Sequence, residues 1–98
     1  MAKVLWIAQY RSVSDPEALA AYAKLALPAI QAAGGRFIGR GMPLAVKEAG
    51  LMQRTVVIAF DSLEQALAAY DSPSYAEALV ALGKHSVERD IRIVEAVE

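Results

Sequence analysis

Two arginines, a lone histidine and two aromatic residues are the side chains through which this sequence could do chemistry. Arg40 stands between Gly39 and Gly41, whose missing side chains leave room for a ligand or another backbone to come close. A guanidinium placed there can hold a carboxylate or enolate through two parallel hydrogen bonds. The alternative is an ion pair with Glu48 or another acid at the rim of a cavity. Arg54 alternates with apolar strand residues and can play the same part, with an ion pair again the alternative. His85 is the one side chain whose unperturbed pKa lies near neutrality, so it is the candidate catalytic acid or base. It follows Gly83-Lys84, so it also reads as a solvated loop residue, and nothing beside it has triad spacing. Trp6 and Tyr10 share a strand face and would favour a flat, partly apolar ligand if that face lines a cavity. Asp90 and Arg92, two apart on a strand, either reach such a cavity or pair with each other.

Other chemistries lack their residues. With no cysteine there is no disulfide framework, thiolate ligand or sulfur nucleophile, and one histidine cannot build an ordinary zinc site. Gly34-Gly35 stops a helix and lacks phosphate-loop spacing. Neither metal, nucleotide nor flavin leaves a signature, so any catalysis is expected to need no cofactor. A formal charge of −1 gives no general attraction to nucleic acid or anionic membrane, and neither is an expected partner. The first apolar run, Val4 to Ala8, is too short for a signal-peptide core or a membrane span, so a cytoplasmic protein is expected.

The elements that must position these residues form one domain over residues 1–98. Lys3 to Arg11 reads as a strand that is apolar on both faces and ends in Ser12-Val13-Ser14-Asp15-Pro16. Asp15 and Pro16 cap and open a helix to about Ala33, with Leu19, Tyr22, Ala26, Ile30 and Ala33 inward. Pro28 lies inside it and predicts a kink or break. Arg36 to Arg40 is a short strand, 42–51 a loop, and Leu51 to Phe60 the clearest strand. Ser62 with Gln65 caps a helix whose inner face is Leu63, Ala66, Leu67 and Tyr70. Ser72-Pro73 restarts a helical segment with Tyr75, Leu79 and Leu82 inward, and the last strand runs from about Arg89 to Val97. Ala18-Leu19-Ala20-Ala21-Tyr22 recurs as Ala66-Leu67-Ala68-Ala69-Tyr70, once in each half. Two βαβ halves joined by a hairpin specify an α+β fold: a ferredoxin-like βαββαβ with a four-stranded antiparallel sheet and helices on one face.

Of the 56% apolar residues, 20 are alanine, yet the first and third strands still carry apolar side chains on both faces. The face away from the helices therefore stays apolar in either register, among Trp6, Ala8 and Tyr10 or Leu5 and Ile7. Such a patch predicts association, most economically a homodimer with sheets packed face to face as a dimeric α+β barrel, with a cavity inside or at its mouth.

Several segments resemble a known family. Asp15-Pro16-Glu17, Gly34-Gly35-Arg36-Phe37 with Arg40-Gly41, Arg54-Thr55-Val56-Val57-Ile58 ending at Phe60, Tyr70-Asp71-Ser72-Pro73-Ser74-Tyr75 and Ile93-Val94-Glu95 are similar to the domain-of-unknown-function family 1330. The resemblance spans nearly the whole chain. It implies the dimeric α+β barrel superfamily, whose relatives include cofactor-free monooxygenases and muconolactone-isomerase-like enzymes. Members often carry an arginine late in the last helix, where this chain has Leu82-Gly83-Lys84-His85. Their Glu-Gly pair in the central loop appears here as Glu48-Ala49-Gly50.

Two functions follow as expectations. In the first, the barrel binds a small organic, anionic molecule in a cavity lined by Trp6, Tyr10, Arg40 and Arg54, and any reaction on it has His85 as acid or base. In the second, the open sheet face serves association alone.

Overall fold

Alternation along the first strand decides the architecture. The computed structural model describes residues 3–97, and in it β1 spans Val4–Val13. Its even residues Val4, Trp6, Ala8 and Tyr10 are buried, whereas Leu5 and Ile7 are half-buried and Gln9 is exposed. The register left open by the sequence is thus settled with Trp6 and Tyr10 toward the helices. Burying two large aromatics removes more apolar surface from water than burying a leucine and an isoleucine. Of the two alternatives, the one that puts Trp6 and Tyr10 on an inter-sheet face does not hold: Leu5, Ile7 and Val57 lie on the open face.

The remaining strands are β2 (Arg36–Gly41), β3 (Thr55–Phe60) and β4 (Val87–Glu95), and the antiparallel sheet has the order β2-β3-β1-β4. Trp6 pairs with Ile58 and Ile93, Ala8 with Val56 and Ile91, and Tyr10 with Arg89. β3 begins at Thr55 rather than Leu51, because residues 52 and 53 bend away from the ladder. β4 begins two residues earlier than the sequence suggests, since the β1 ladder continues past a bulge to Val13 and Val87.

Helices α1 (Pro16–Ala32), α2 (Leu63–Tyr70) and α3 (Pro73–Leu82) pack on the even face. The molecule is 17 Å thick against 38 and 35 Å in its other dimensions, the profile of one sheet under one layer of helices. The topology is ferredoxin-like, with the second crossover helix divided in two. Asp15 accepts from the Ala18 N–H, Ser62 from the Gln65 N–H and Ser72 from the Tyr75 N–H, so each helix starts on the cap its sequence announces. Gln65 reaches back to the Asp61 N–H.

Pro28 does not break α1. Pro28 and Lys24 are both exposed, so water can meet the carbonyl that Pro28 leaves without a donor. Gly34, at φ 97°, donates to the Gln31 carbonyl and Gly35 to that of Ile30, which closes the helix in a Schellman motif. Gly35 is also held by space, because a Cβ there would lie 2.8 Å from Phe60 Cζ. The inner face of α2 differs from the predicted one. Ala66 and Ala69 are buried, while Leu63 and Leu67 are 49% and 47% exposed. Small alanines bring α2 close to the sheet, and the leucines turn outward.

The core centres on Trp6, whose ring lies 6.0 Å from Phe60, 5.6 Å edge-on from Tyr75 and 5.7 Å from Tyr70. The echoed tyrosines have different fates: Tyr22 is buried and Tyr70 is 41% exposed.

Candidate functional site

A cleft opens between α1 and the β2 side of the sheet. Trp6, Ala8 and Tyr10 of β1 with Val56 and Ile58 of β3 make its floor, and Tyr22, Ala23 and Ala26 of α1 line the opposite wall. Alanines at 23 and 26 leave the separation unfilled. The cleft measures about 400 Å³ with its open mouth included, and its free interior is only about 30 Å³. That interior takes one or two waters as it stands, so an organic ligand has to enter from the mouth and part the walls.

Three arginines converge on this cleft: Arg40, Arg54 and Arg89. Each arrives for a local reason. β2 carries a bulge at Ile38, so that Phe37 lies opposite Ile58, Gly39 opposite Val57 and Arg40 opposite Val56. Without the extra residue, alternation would send Arg40 to the open face; the bulge re-aims it into the cleft. Its flanking glycines do not act by yielding room. A Cβ on Gly39 would meet Val57 at an ordinary 3.7 Å and one on Gly41 would meet nothing, but Gly41 has φ 135°, which disfavours any side chain. Arg40 makes no ion pair among the described residues, with Glu48 or any other acid, and its guanidinium sits 5.5 Å from the Phe37 ring centre.

Arg54 enters just ahead of β3, where its carbonyl accepts from the Tyr10 N–H. Its guanidinium lies 6.0 Å from the Tyr10 ring centre, and its Nε is buried without a hydrogen-bond partner among the described residues. A buried N–H of that kind is costly to leave unpaired.

Arg89 was not singled out in the sequence. Residue 89 is two positions before Ile91 and four before Ile93, so it belongs to the helix-facing side of β4. A cation in line with an apolar stripe was the signal. Its guanidinium donates to three phenols: Nη1 to Tyr10 at 3.0 Å and Tyr22 at 3.1 Å, and Nη2 to Tyr75 at 3.2 Å. The Tyr22 and Tyr75 hydroxyls bond each other at 2.7 Å. Burial by itself would lower the Arg89 pKa, but the phenolic oxygens of Tyr22, Tyr75 and Tyr10 outweigh it and hold it above its usual value. Burial pushes the phenols of Tyr75 and Tyr10 up, with Arg89 opposing only in part. Arg89 is therefore a fixed cation, and Tyr10 and Tyr75 keep their protons at ordinary pH.

No Asp or Glu among the described residues lines the cleft. All four side chains expected to bind a ligand, Trp6, Tyr10, Arg40 and Arg54, meet there, but inside one chain between helix and sheet rather than between two sheets. His85 does not join them. It is exposed in the loop before β4, its carbonyl accepting from the Ser14 hydroxyl at 2.8 Å. Asp90 and Arg92 stay on the open face. Asp90 receives Arg11 at 2.8 Å and faces Arg92 at 3.7 Å. Among the described residues, no group of three or more His, Cys, Asp or Glu could hold a metal ion, and no helix is long and apolar enough to cross a membrane.

The profile of a family described as "Domain of unknown function (DUF1330)" matches residues 3–97. No curated protein sequence matches the chain. Among solved structures, a protein of unknown function from Rhodopseudomonas palustris superposes with a TM-score of 0.74 at 15% identity, covering 99% of this chain and 84% of that one. SnoaB, a cofactor-independent oxygenase from Streptomyces nogalater, superposes at 0.68 with 12% identity, covering 100% and 96%. A dimeric ferredoxin-like protein of unknown function from Bacteroides fragilis superposes at 0.59 with 18% identity, covering 98% of each chain. At these identities the likeness is one of fold.

Proposed function

The chain belongs to the DUF1330 family, and from that premise we propose that it binds a small, flat, largely apolar organic anion in the cleft between α1 and the sheet. The observation that carries this reading is the convergence of Arg40, Arg54 and Arg89 on an aromatic-walled cleft with no lining acid among the described residues. Three cations without counter-charges repel one another, and an anion is the partner that offsets that repulsion. Phe37, Tyr10 and Trp6 supply apolar faces for the body of such a ligand. A cofactor-free reaction on the bound anion is the extension of this reading, in keeping with the cofactor-independent oxygenase among the fold neighbours.

Self-association is part of the proposal. Leu5, Ile7 and Val57 leave an apolar strip on the open face. The accessible surface of 6346 Å² exceeds the roughly 5,400 Å² of a compact monomer of 10.5 kDa by about what one partner of a standard interface buries. Dimeric proteins appear among the fold neighbours. A monomer by sedimentation at micromolar concentration would overturn this part.

Trp6, the single tryptophan, lines the cleft and reports on it by fluorescence. With 2-naphthoate as probe, quenching should saturate, and Arg40→Ala should weaken binding about tenfold or more while the dimer persists. The uncharged 2-naphthalenemethanol should bind at least about tenfold more weakly than the acid. Equal binding of the two probes overturns the anion site, and an unchanged affinity in Arg40→Ala removes that residue from it. The narrow interior of the cleft favours a second reading, in which the protein is an association module without a ligand. Failure of every anionic probe would select it.

A further inference from the structure

The Tyr10–Tyr22–Tyr75–Arg89 cluster contains more donors than it uses. Each phenol oxygen already accepts from Arg89, so each hydroxyl proton is free to be given elsewhere. Three protons are available and the cluster consumes one, in the bond between Tyr22 and Tyr75. Tyr75 is 0% exposed and does not line the cleft. A hydroxyl so deeply buried needs an acceptor for its proton, and the Tyr22 oxygen at 2.7 Å is the one it has. With Tyr75 donating, the Tyr22 proton is left over, as is that of Tyr10, and both residues line the cleft.

We propose that Tyr10 and Tyr22 are an oxyanion-binding pair, and that the ligand of this cleft is a phenol- or enol-type molecule held as its phenolate or enolate through those two protons. The proposal rests on the anion-binding reading and narrows it. Arg89 positions the pair from behind: by occupying a lone pair on each oxygen it turns the protons away from itself, and its charge makes both hydroxyls better donors. The Arg54 Nε, without a partner among the described residues, supplies a further N–H at the same cleft, against the face of Tyr10. Two neutral donors backed by a cation suit one concentrated oxygen charge, which they stabilise without having to transfer a proton.

The full chain titrated with 4-nitrophenol tests this, since the phenolate of that probe absorbs visible light and its ionisation can be followed while bound. The wild type should bind the phenolate about tenfold more tightly than the phenol, lowering the apparent pKa of the probe by about one unit. Tyr10→Phe and Tyr22→Phe should each weaken phenolate binding about tenfold while leaving the neutral phenol within about threefold, because only the charged oxygen gains much from each donor. Tyr70→Phe, a hydroxyl outside the cluster, should change neither. If the wild type binds both forms alike, or the two variants weaken both forms equally, the pair is overturned. Should the variants not fold, the wild type compared on 4-nitrophenolate and 4-nitrobenzoate decides, since arginines alone favour the two-pronged carboxylate and the hydroxyl pair favours the single phenolate oxygen; tighter binding of the carboxylate overturns the pair. The same preparation with 2-naphthoate separates the two readings: naphthoate bound without phenolate preference removes only the oxyanion pair, whereas no naphthoate binding removes the anion site beneath it.

Discussion

The six arginines of this chain divide evenly between two environments. On the open face and its edge, Arg11 meets Asp90 at 2.8 Å, Arg92 faces the same carboxylate at 3.7 Å and Arg36 meets Asp61 at 3.3 Å. In the cleft, Arg40, Arg54 and Arg89 meet aromatic rings and phenol oxygens, and no acid among the described residues. The paired arginines have a structural explanation that is complete as it stands. The unpaired ones differ among themselves: Arg89 is held by three phenols and Arg40 is exposed at the mouth, but Arg54 is half-buried with an Nε that has no partner among the described residues, so it gives up water without receiving a counter-charge. Where a cation is left without its acid, a ligand is the explanation to test first.

The largest expected effect separates the two faces of β1. Trp6→Ala empties the centre of the aromatic core and should cost about 3–5 kcal/mol, enough to unfold much of a domain of this size. Ile7→Asp, on the next residue but the opposite face, should leave the fold of the single chain in place and abolish self-association. Thermal melts and sedimentation on the two variants check this. Reversed outcomes would mean that the open face, not the helix face, holds the main core.

Much of this was legible in the residues. Helix caps at Asp15, Ser62 and Ser72, the stop at Gly34 and the antiparallel strand order follow from local chemistry and connection rules. Arg40 was legible as a residue to watch, but not the bulge at Ile38 that aims it, because a bulge is fixed by pairing with a partner strand. The face of Trp6 and Tyr10 stayed open for the same kind of reason: both sides of β1 are apolar, so periodicity does not choose between them. Arg89 shows what a stricter reading of alternation would find, since its place in line with Ile91 and Ile93 marks it as inward. His85 shows the limit of arguing from a residue type, because a suitable pKa does not place a side chain.

An intermediate effect appears at high pH, and the helix face carries it, since Tyr10 and Tyr75 both lie there. Burial raises the Tyr10 and Tyr75 pKa values above that of an unfolded chain, so between the two values the unfolded state releases protons that the folded state retains. Stability is then full below about pH 10 and falls as pH rises beyond it, by at most about 1.4 kcal/mol per pH unit for each group. Denaturant melts from pH 8 upward should show the decline, and Tyr75→Phe should flatten it. A curve of equal slope in the variant would place the alkaline sensitivity elsewhere.

The smallest effect is the most direct test of the division between paired and unpaired arginines. Asp90 serves two of the open-face arginines from a side chain 29% exposed, so Asp90→Asn should destabilise by about 1 kcal/mol or less, the range of partly screened surface pairs. Arg54→Met should move the other way or not at all. Methionine keeps most of the side-chain volume, removes a buried Nε that has no partner among the described residues, and relieves repulsion from Arg40 and Arg89. A melting temperature unchanged or a few degrees higher, together with naphthoate affinity lost, would show a cation kept for what it binds at some expense of stability. A clear loss of stability would instead show that Arg54 has a structural partner, and would move it to the same side of the comparison as Arg11, Arg36 and Arg92.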